Sequence, residues 1–313
     1  MSCTEQNGAL CMDAFNTSEL APSSEIAPVG CIPYEKDYEG YWRALRGAIE
    51  REEISDRGAV ISDLIIDYNP GHYTAWEYRR KWSVQEGLVN EEIQYAAEQV
   101  VSNPKNYQVW HHHRRLVEIL DKPVDALELT RNSLEEDAKN YHAWSYRQWI
   151  VKKFDLFSNE HEFVSKFIDA DVRNNSAWNY RYFLIRETKF GPHSHFVEEP
   201  SLVQETSYAI RKSRLAPHNE SPWNYIRALT RLARMPLVDV VGLVDALRDS
   251  NPQATIDNRF AAHLYADILA ESDSRADKEA AAKLFQNLRD SDPCRRRYWD
   301  HKLSTIQKSI SRS

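Results

Sequence analysis

Lys105-Asn106-Tyr107-Gln108-Val109-Trp110 returns as Lys139-Asn140-Tyr141-His142-Ala143-Trp144, a spacing of 34 residues. A pattern that recurs at fixed spacing is one unit of a repeat array, and the array has to be measured before a fold is inferred. The tryptophans measure it. Trp76, Trp110, Trp144 and Trp178 stand 34 residues apart, Trp223 follows after 45, and Trp299 closes the series. The longer step predicts an inserted loop around 191–201. Seven positions before each tryptophan stands Asn, Asp or Ala, and in four units proline comes next: Asn69-Pro70, Asn103-Pro104, Ala216-Pro217 and Asp292-Pro293. The same phase at Asn251-Pro252 leads to Asn258 where a tryptophan is due, so a degenerate unit is expected there.

Each unit reads as two helices. In one of them Ile93, Ala96, Ala97, Val100 and Val101 form an apolar stripe, and Asn103-Pro104 stops it because the residue before proline is pushed out of the helical region. Asn106, Asn140, Asn174 and Asn219, each four residues before a tryptophan, suit the N-cap of the second helix. Trp110 and Leu116 then point inward, and Asp121-Lys122-Pro123 closes the hairpin. Antiparallel helix pairs at this period predict an all-α fold, an α-α superhelix. It is expected as a crescent-shaped solenoid of about seven hairpins, with the tryptophans as a ladder in its core. Residues 33–313 carry the array and 1–32, rich in Ser, Thr, Asn, Ala and Pro, are expected to be a disordered arm. Tyr38, Tyr41, Trp42, Leu45 and Ile49 mark a first amphipathic helix that caps the stack.

Composition excludes several classes. A net charge of −7 argues against general nucleic-acid binding, which rewards a basic face. The sequence holds no apolar run long enough to span a bilayer and no signal segment, so a cytoplasmic protein is expected. Cys3, Cys11, Cys31 and Cys294 are too scattered for a metal site or a disulfide framework and read as free thiols. Nine tryptophans and sixteen tyrosines exceed what helix packing needs, so some rings are expected to face a partner.

The tetratricopeptide pattern shares the 34-residue period but wants a small residue where this chain has arginine, as in Trp76-Glu77-Tyr78-Arg79, Trp144-Ser145-Tyr146-Arg147 and Trp178-Asn179-Tyr180-Arg181. The Asn-x-x-x-Trp-x-x-Arg string resembles the repeat of the protein prenyltransferase α subunits. The stretches from Pro104 to His112 and from Asp137 to Trp144, with Asp171-Val172-Arg173-Asn174 and Pro217-His218-Asn219, are most similar to the α subunit shared by the farnesyl and type I geranylgeranyl enzymes. Lys139 sets that branch apart from the Rab-directed enzyme, whose α subunit has related repeats.

The resemblance implies transfer of farnesyl or geranylgeranyl from its diphosphate to the cysteine of a C-terminal CaaX sequence, on proteins such as small GTPases. Such chemistry needs a thiolate, an apolar cavity and positive charge on the departing diphosphate. The first two are missing here: no zinc-like cluster is present, and His111, His112 and His113, being consecutive on a helix, cannot face one metal and read as a surface run. The resemblance places zinc and the cavity in a β subunit, the heterodimer partner, with magnesium accompanying the prenyl diphosphate. The position five before the tryptophan is basic in four units, as Lys105, Lys139, Arg173 and His218, and lies where a helix amino terminus already favours anions. By resemblance Lys139 takes the leaving group, Tyr141 hydrogen-bonds the same phosphates, and Asn174 supports turnover. Tyr107, Gln108 and His142 hold neighbouring places and are expected on the peptide side. A non-catalytic scaffold fits the period equally well.

Overall fold

The computed structural model describes residues 34–191, 202–233 and 258–311. Among them are fourteen α-helices, one 3-10 turn and no strand. The expected arm 1–32, the insertion around 192–201 and Asn251-Pro252 lie outside the described residues. The chain divides into two compact units, Met1–Ile150 and Val151–Ser313.

In the first unit, α1 (Lys36–Glu50) packs on α2 (Asp56–Tyr68), and α2 on α3 (Tyr73–Gln85). A second hairpin, α4 (Val89–Ser102) and α5 (Tyr107–Leu120), lies against α3 through both its helices. Helix α6 (Ala126–Glu136) leads to α7 (Tyr141–Lys153), whose last turn contains the unit boundary. Helix α1 buries Tyr38, Tyr41, Leu45 and Ala48, while Ile49, expected on the same stripe, faces outward. Asp121 takes a left-handed conformation after α5, which frees the chain to reverse at the foreseen place.

The repeat tryptophans of this unit, Trp76, Trp110 and Trp144, are buried at 2–4% exposure, and each satisfies its indole N–H in one way. Nε1 donates to the carbonyl six residues earlier: Trp76 to Pro70 at 2.8 Å, Trp110 to Pro104 at 2.9 Å and Trp144 to Ala138 at 3.0 Å. That carbonyl lies in the turn ahead of the helix, where no helical N–H claims it. An indole can therefore be buried without the cost of an unmet donor. Proline is tolerated there because only the carbonyl is required.

In the second unit, α8 (Glu160–Ala170) pairs with α9 (Asn175–Phe190), and α10 (Leu202–Ser213) with α11 (Ser221–Ala233), which lies on α9. Then come α12 (Arg259–Glu271), packed on α11, and the pair α13 (Arg275–Ser291) and α14 (Arg296–Ile310), with the 3-10 turn Pro293–Arg295 between them. Trp178 repeats the indole bond, to Val172 O at 2.8 Å. Asn258 corrects the expected phase. It does not stand in a tryptophan's place but caps α12, its Oδ1 accepting from Phe260 N and Ala261 N. Four residues on, Ala262 occupies the tryptophan register and packs with Ala281, Phe285 and Trp299. Seven second-type helices are thus present among the described residues: α3, α5, α7, α9, α11, α12 and α14.

A ladder of buried charge accompanies the tryptophans. Arg79, three residues past Trp76, meets Glu92 through both oxygens, at 3.0 and 2.8 Å, and His112 Nε2 lies 2.8 Å from the same carboxylate. In the second unit Arg181 meets Glu205 at 2.6 Å on both oxygens, and Tyr225 OH donates to it at 2.5 Å. Glu92 on α4 and Glu205 on α10 therefore each clamp two second helices, a geometry that holds a buried charge only because every oxygen is met.

Candidate functional site

The turn before α7 builds the first predicted site residue. Asp137 Oδ1 accepts from Lys139 N at 3.1 Å, and Asp137 O accepts from Asn140 N at 2.9 Å. Asn140 then works in two directions. Its Oδ1 accepts from Ala143 N at 3.0 Å as the cap of α7, and its Nδ2 donates at 3.0 Å to Pro104 O, the same carbonyl that receives the Trp110 indole. Lys139 is held between these two fixed side chains with its own side chain exposed at the start of α7. Arg173 is exposed in an equivalent turn, where Asp171 Oδ1 accepts from Arg173 N at 2.9 Å and Asn174 caps α9. Lys105 differs, because its Nζ pairs with Asp137 Oδ2 at 3.4 Å.

Two residues past Lys139, Tyr141 is 67% exposed, and Tyr107 in the preceding hairpin is 68% exposed. The His142 ring lies 4.2 Å from Tyr107, edge to face, and 5.6 Å from Tyr141. Partial burial pushes the His142 pKa down against a hydrogen bond to the Lys105 backbone, so at neutral pH the imidazole is uncharged. Tyr107, His142, Tyr141 and Lys105 thus form one strip across the starts of α5 and α7, beside Lys139. Gln108 is half-buried and gives its backbone N–H to Asn106 Oδ1 at 2.9 Å. Asn174 belongs to the second unit. It is fully buried and its Oδ1 accepts from Ser176 N and Ala177 N at 3.1 and 3.3 Å, so it positions α9.

The histidine run is corrected. Only His111 is exposed, whereas His112 and His113 are buried, His112 on Glu92 and His113 with Nδ1 2.7 Å from Tyr146 OH. They hold the places filled elsewhere by the buried tyrosine and arginine two and three past the tryptophan, a register that the sequence already contained. Composition alone hid it. Burial drives the His113 pKa down to about 4. Among the described residues no group of three or more His, Cys, Asp or Glu could hold a metal ion, so these residues do not fit zinc. None of the helices among the described residues is long and apolar enough to cross a membrane.

This geometry defines a class: an α-helical hairpin-repeat protein whose second helices open on a basic-Asn turn and bury a tryptophan. Residues 89–120, 123–154 and 157–188 match the protein prenyltransferase alpha subunit repeat, in three consecutive copies. A chain in the structure of Candida albicans protein geranylgeranyltransferase-I complexed with GGPP shares the fold with a TM-score of 0.78 and 26% identity, over 92% of this chain and 98% of that one. Comparison with curated protein sequences gives no match. The chain carries protein prenyltransferase alpha subunit repeats.

Proposed function

We propose that this chain is the α subunit of a heterodimeric CaaX protein prenyltransferase of the farnesyl or type I geranylgeranyl kind, acting in the cytoplasm with a β subunit. The observation that carries the reading is the Asp137-Lys139-Asn140 turn, which fixes an exposed cation and an exposed tyrosine at the amino terminus of α7, inside three consecutive matched repeats. In the reaction the cysteine sulfur bonds to C1 of the isoprenoid as the C1–O bond breaks, and the diphosphate leaves with the electron pair. Charge therefore grows on the diphosphate oxygens. Lys139 meets that charge, Tyr141 donates a hydrogen bond to the same oxygens, and the α7 amino terminus adds its unpaired N–H groups.

Tyr107, Gln108 and His142 line the peptide side, where a neutral His142 offers a hydrogen-bonding edge without competing for the diphosphate. Asn174 supports turnover indirectly, by fixing the start of α9. Zinc, which lowers the pKa of a bound thiol, is assigned to the β subunit, and magnesium to the diphosphate. The choice between farnesyl and geranylgeranyl is assigned to the β-subunit cavity. The test is purification of the chain with a β subunit through a tag on one chain only, followed by zinc-dependent transfer of labelled prenyl groups to a CaaX peptide. Stable association that never consumes the prenyl diphosphate would establish a scaffold instead.

A further inference from the structure

The indole pattern breaks in the second unit, at Trp223 and at Trp299, and at Trp223 it breaks beside a cavity. At Trp223 the upstream carbonyl, Pro217 O, still accepts the Asn258 amide of the next helix, as Val172 O accepts Asn219 Nδ2 at 2.7 Å. Trp178 shares the Val172 carbonyl with Asn219. Trp223 does not share the Pro217 carbonyl: it is 2% exposed, and its Nε1 has no hydrogen-bond partner. The same ring lines a cavity of about 230 Å³ together with Glu220, Asn224, Arg227, Phe260, His263, Arg295 and Tyr298.

A second donor in this lining is also unmet. Arg227 Nη1 bonds Asp267 Oδ2 at 2.6 Å, but Arg227 Nη2 is buried without a partner. Asp267 is shared with Lys302 Nζ at 2.9 Å, so two cations divide one carboxylate. Arg295 adds a second guanidinium to the wall, with only long contacts, to Asp292 at 3.4 Å and to Glu220 at 3.8 Å. His263 brings no further charge, because burial and then the neighbouring Arg227 lower its pKa to about 3. Buried donors are normally satisfied, and those that are not call for an explanation. The two unmet groups of the lining itself, Trp223 Nε1 and Arg227 Nη2, are donors, the wall sets two guanidinium groups against the single carboxylate of Glu220, and the space exceeds that of single waters yet falls short of the roughly 300–1,000 Å³ of drug-sized pockets.

We propose that this cavity is a binding site for a compact oxyanion, phosphate or carboxylate, held by Trp223 Nε1, Arg227 and Arg295. Phe260 and Tyr298 wall the site, and Tyr298, 41% exposed, leaves it reachable from solvent. The site lies wholly within the second unit and does not depend on the prenyltransferase reading.

The test uses the full chain with ¹⁵N-labelled tryptophan, the Trp223 indole resonance being assigned with Trp223→Phe. Inorganic phosphate and sodium acetate are titrated separately, with sodium chloride at matched ionic strength as the control. At least one oxyanion is expected to shift the Trp223 resonance saturably while chloride does not. A response to phosphate alone assigns a phosphate site, and a response to acetate alone a carboxylate site. Arg295→Gln should weaken the response at least tenfold while the other indole resonances stay in place, which shows that the fold is retained. No shift, a shift equal to that of chloride, or a saturable shift indifferent to Arg295→Gln would overturn the proposal.

Discussion

Under the proposed function, loss of the Lys139 ammonium removes a charge-assisted contact that matters most as the diphosphate departs. In a purified heterodimer, Lys139→Ala should slow the chemical step about 30- to 1,000-fold, roughly 2–4 kcal/mol of barrier, with little change in the peptide KM. Single-turnover transfer measures this, and an unchanged rate would remove Lys139 from the mechanism. At His113 the property at stake is stability. Its pKa falls from an ordinary 6.5 to about 4 because burial disfavours the imidazolium. Between those pH values the unfolded chain binds a proton that the folded chain refuses, so stability is fully present above about pH 6.5 and declines as pH falls toward 4. His263, lowered to about 3, and His112, lowered mainly by burial, act in the same direction. Urea midpoints should therefore drop between pH 7 and pH 5. His113→Asn, which keeps a partner for Tyr146 OH and does not titrate, should flatten that slope. An equally steep slope in the variant would place the effect elsewhere.

At the scale of elements, hairpins are joined by side chains that serve two hairpins at once. Arg181→Met strands the Glu205 carboxylate in the core with only Tyr225 OH, and should cost about 3–5 kcal/mol in chemical denaturation. Replacing both residues, as Arg181→Met with Glu205→Leu, should recover much of that loss; a double variant as unstable as the sum of the singles would contradict the clamp. Asn219 separates its two tasks in a similar way. Asn219→Ala loses the cap of α11, about 1 kcal/mol, and the bond to Val172 O. Asn219→Asp keeps the cap acceptor for Ser221 N but turns an oxygen on the Val172 carbonyl, in a site only 8% exposed. The aspartate should be the less stable of the two, and stability equal to wild type would rule out the bond between hairpins. These elements also mark how far the sequence could be read. Tryptophan register, proline stops and asparagine caps are local and periodic, so they were legible. The glutamate partners were not, because they sit 13 residues past Arg79 but 24 past Arg181, where the insertion stretches the ruler. Asn258 was misphased for a related reason: once tryptophan is replaced by Ala262, only the cap keeps the register, and asparagine alone does not say which role it plays.

At the scale of the whole molecule, the proposed function asks this chain to meet one requirement of prenyl transfer and a β subunit to meet the other two. Lys139 and Tyr141 are exposed at the start of α7, whereas the described residues do not fit zinc. The α-subunit reading was legible from long strings around Lys105, Lys139 and Arg173 because each string combines a cap, a core ring and an exposed cation in one short turn. The oxyanion cavity was not legible, since it arises where an indole loses a backbone partner, an event without a sequence signature. The most direct test of the central claim is a titration of this chain into a fixed amount of β subunit, with zinc-dependent prenyl transfer to a CaaX peptide as the readout. The account predicts no transfer from either chain alone, and a rate that rises with added chain and levels off at one per β subunit. Transfer by the β subunit without this chain, or no transfer at any ratio with farnesyl-type and type I β subunits, would contradict it.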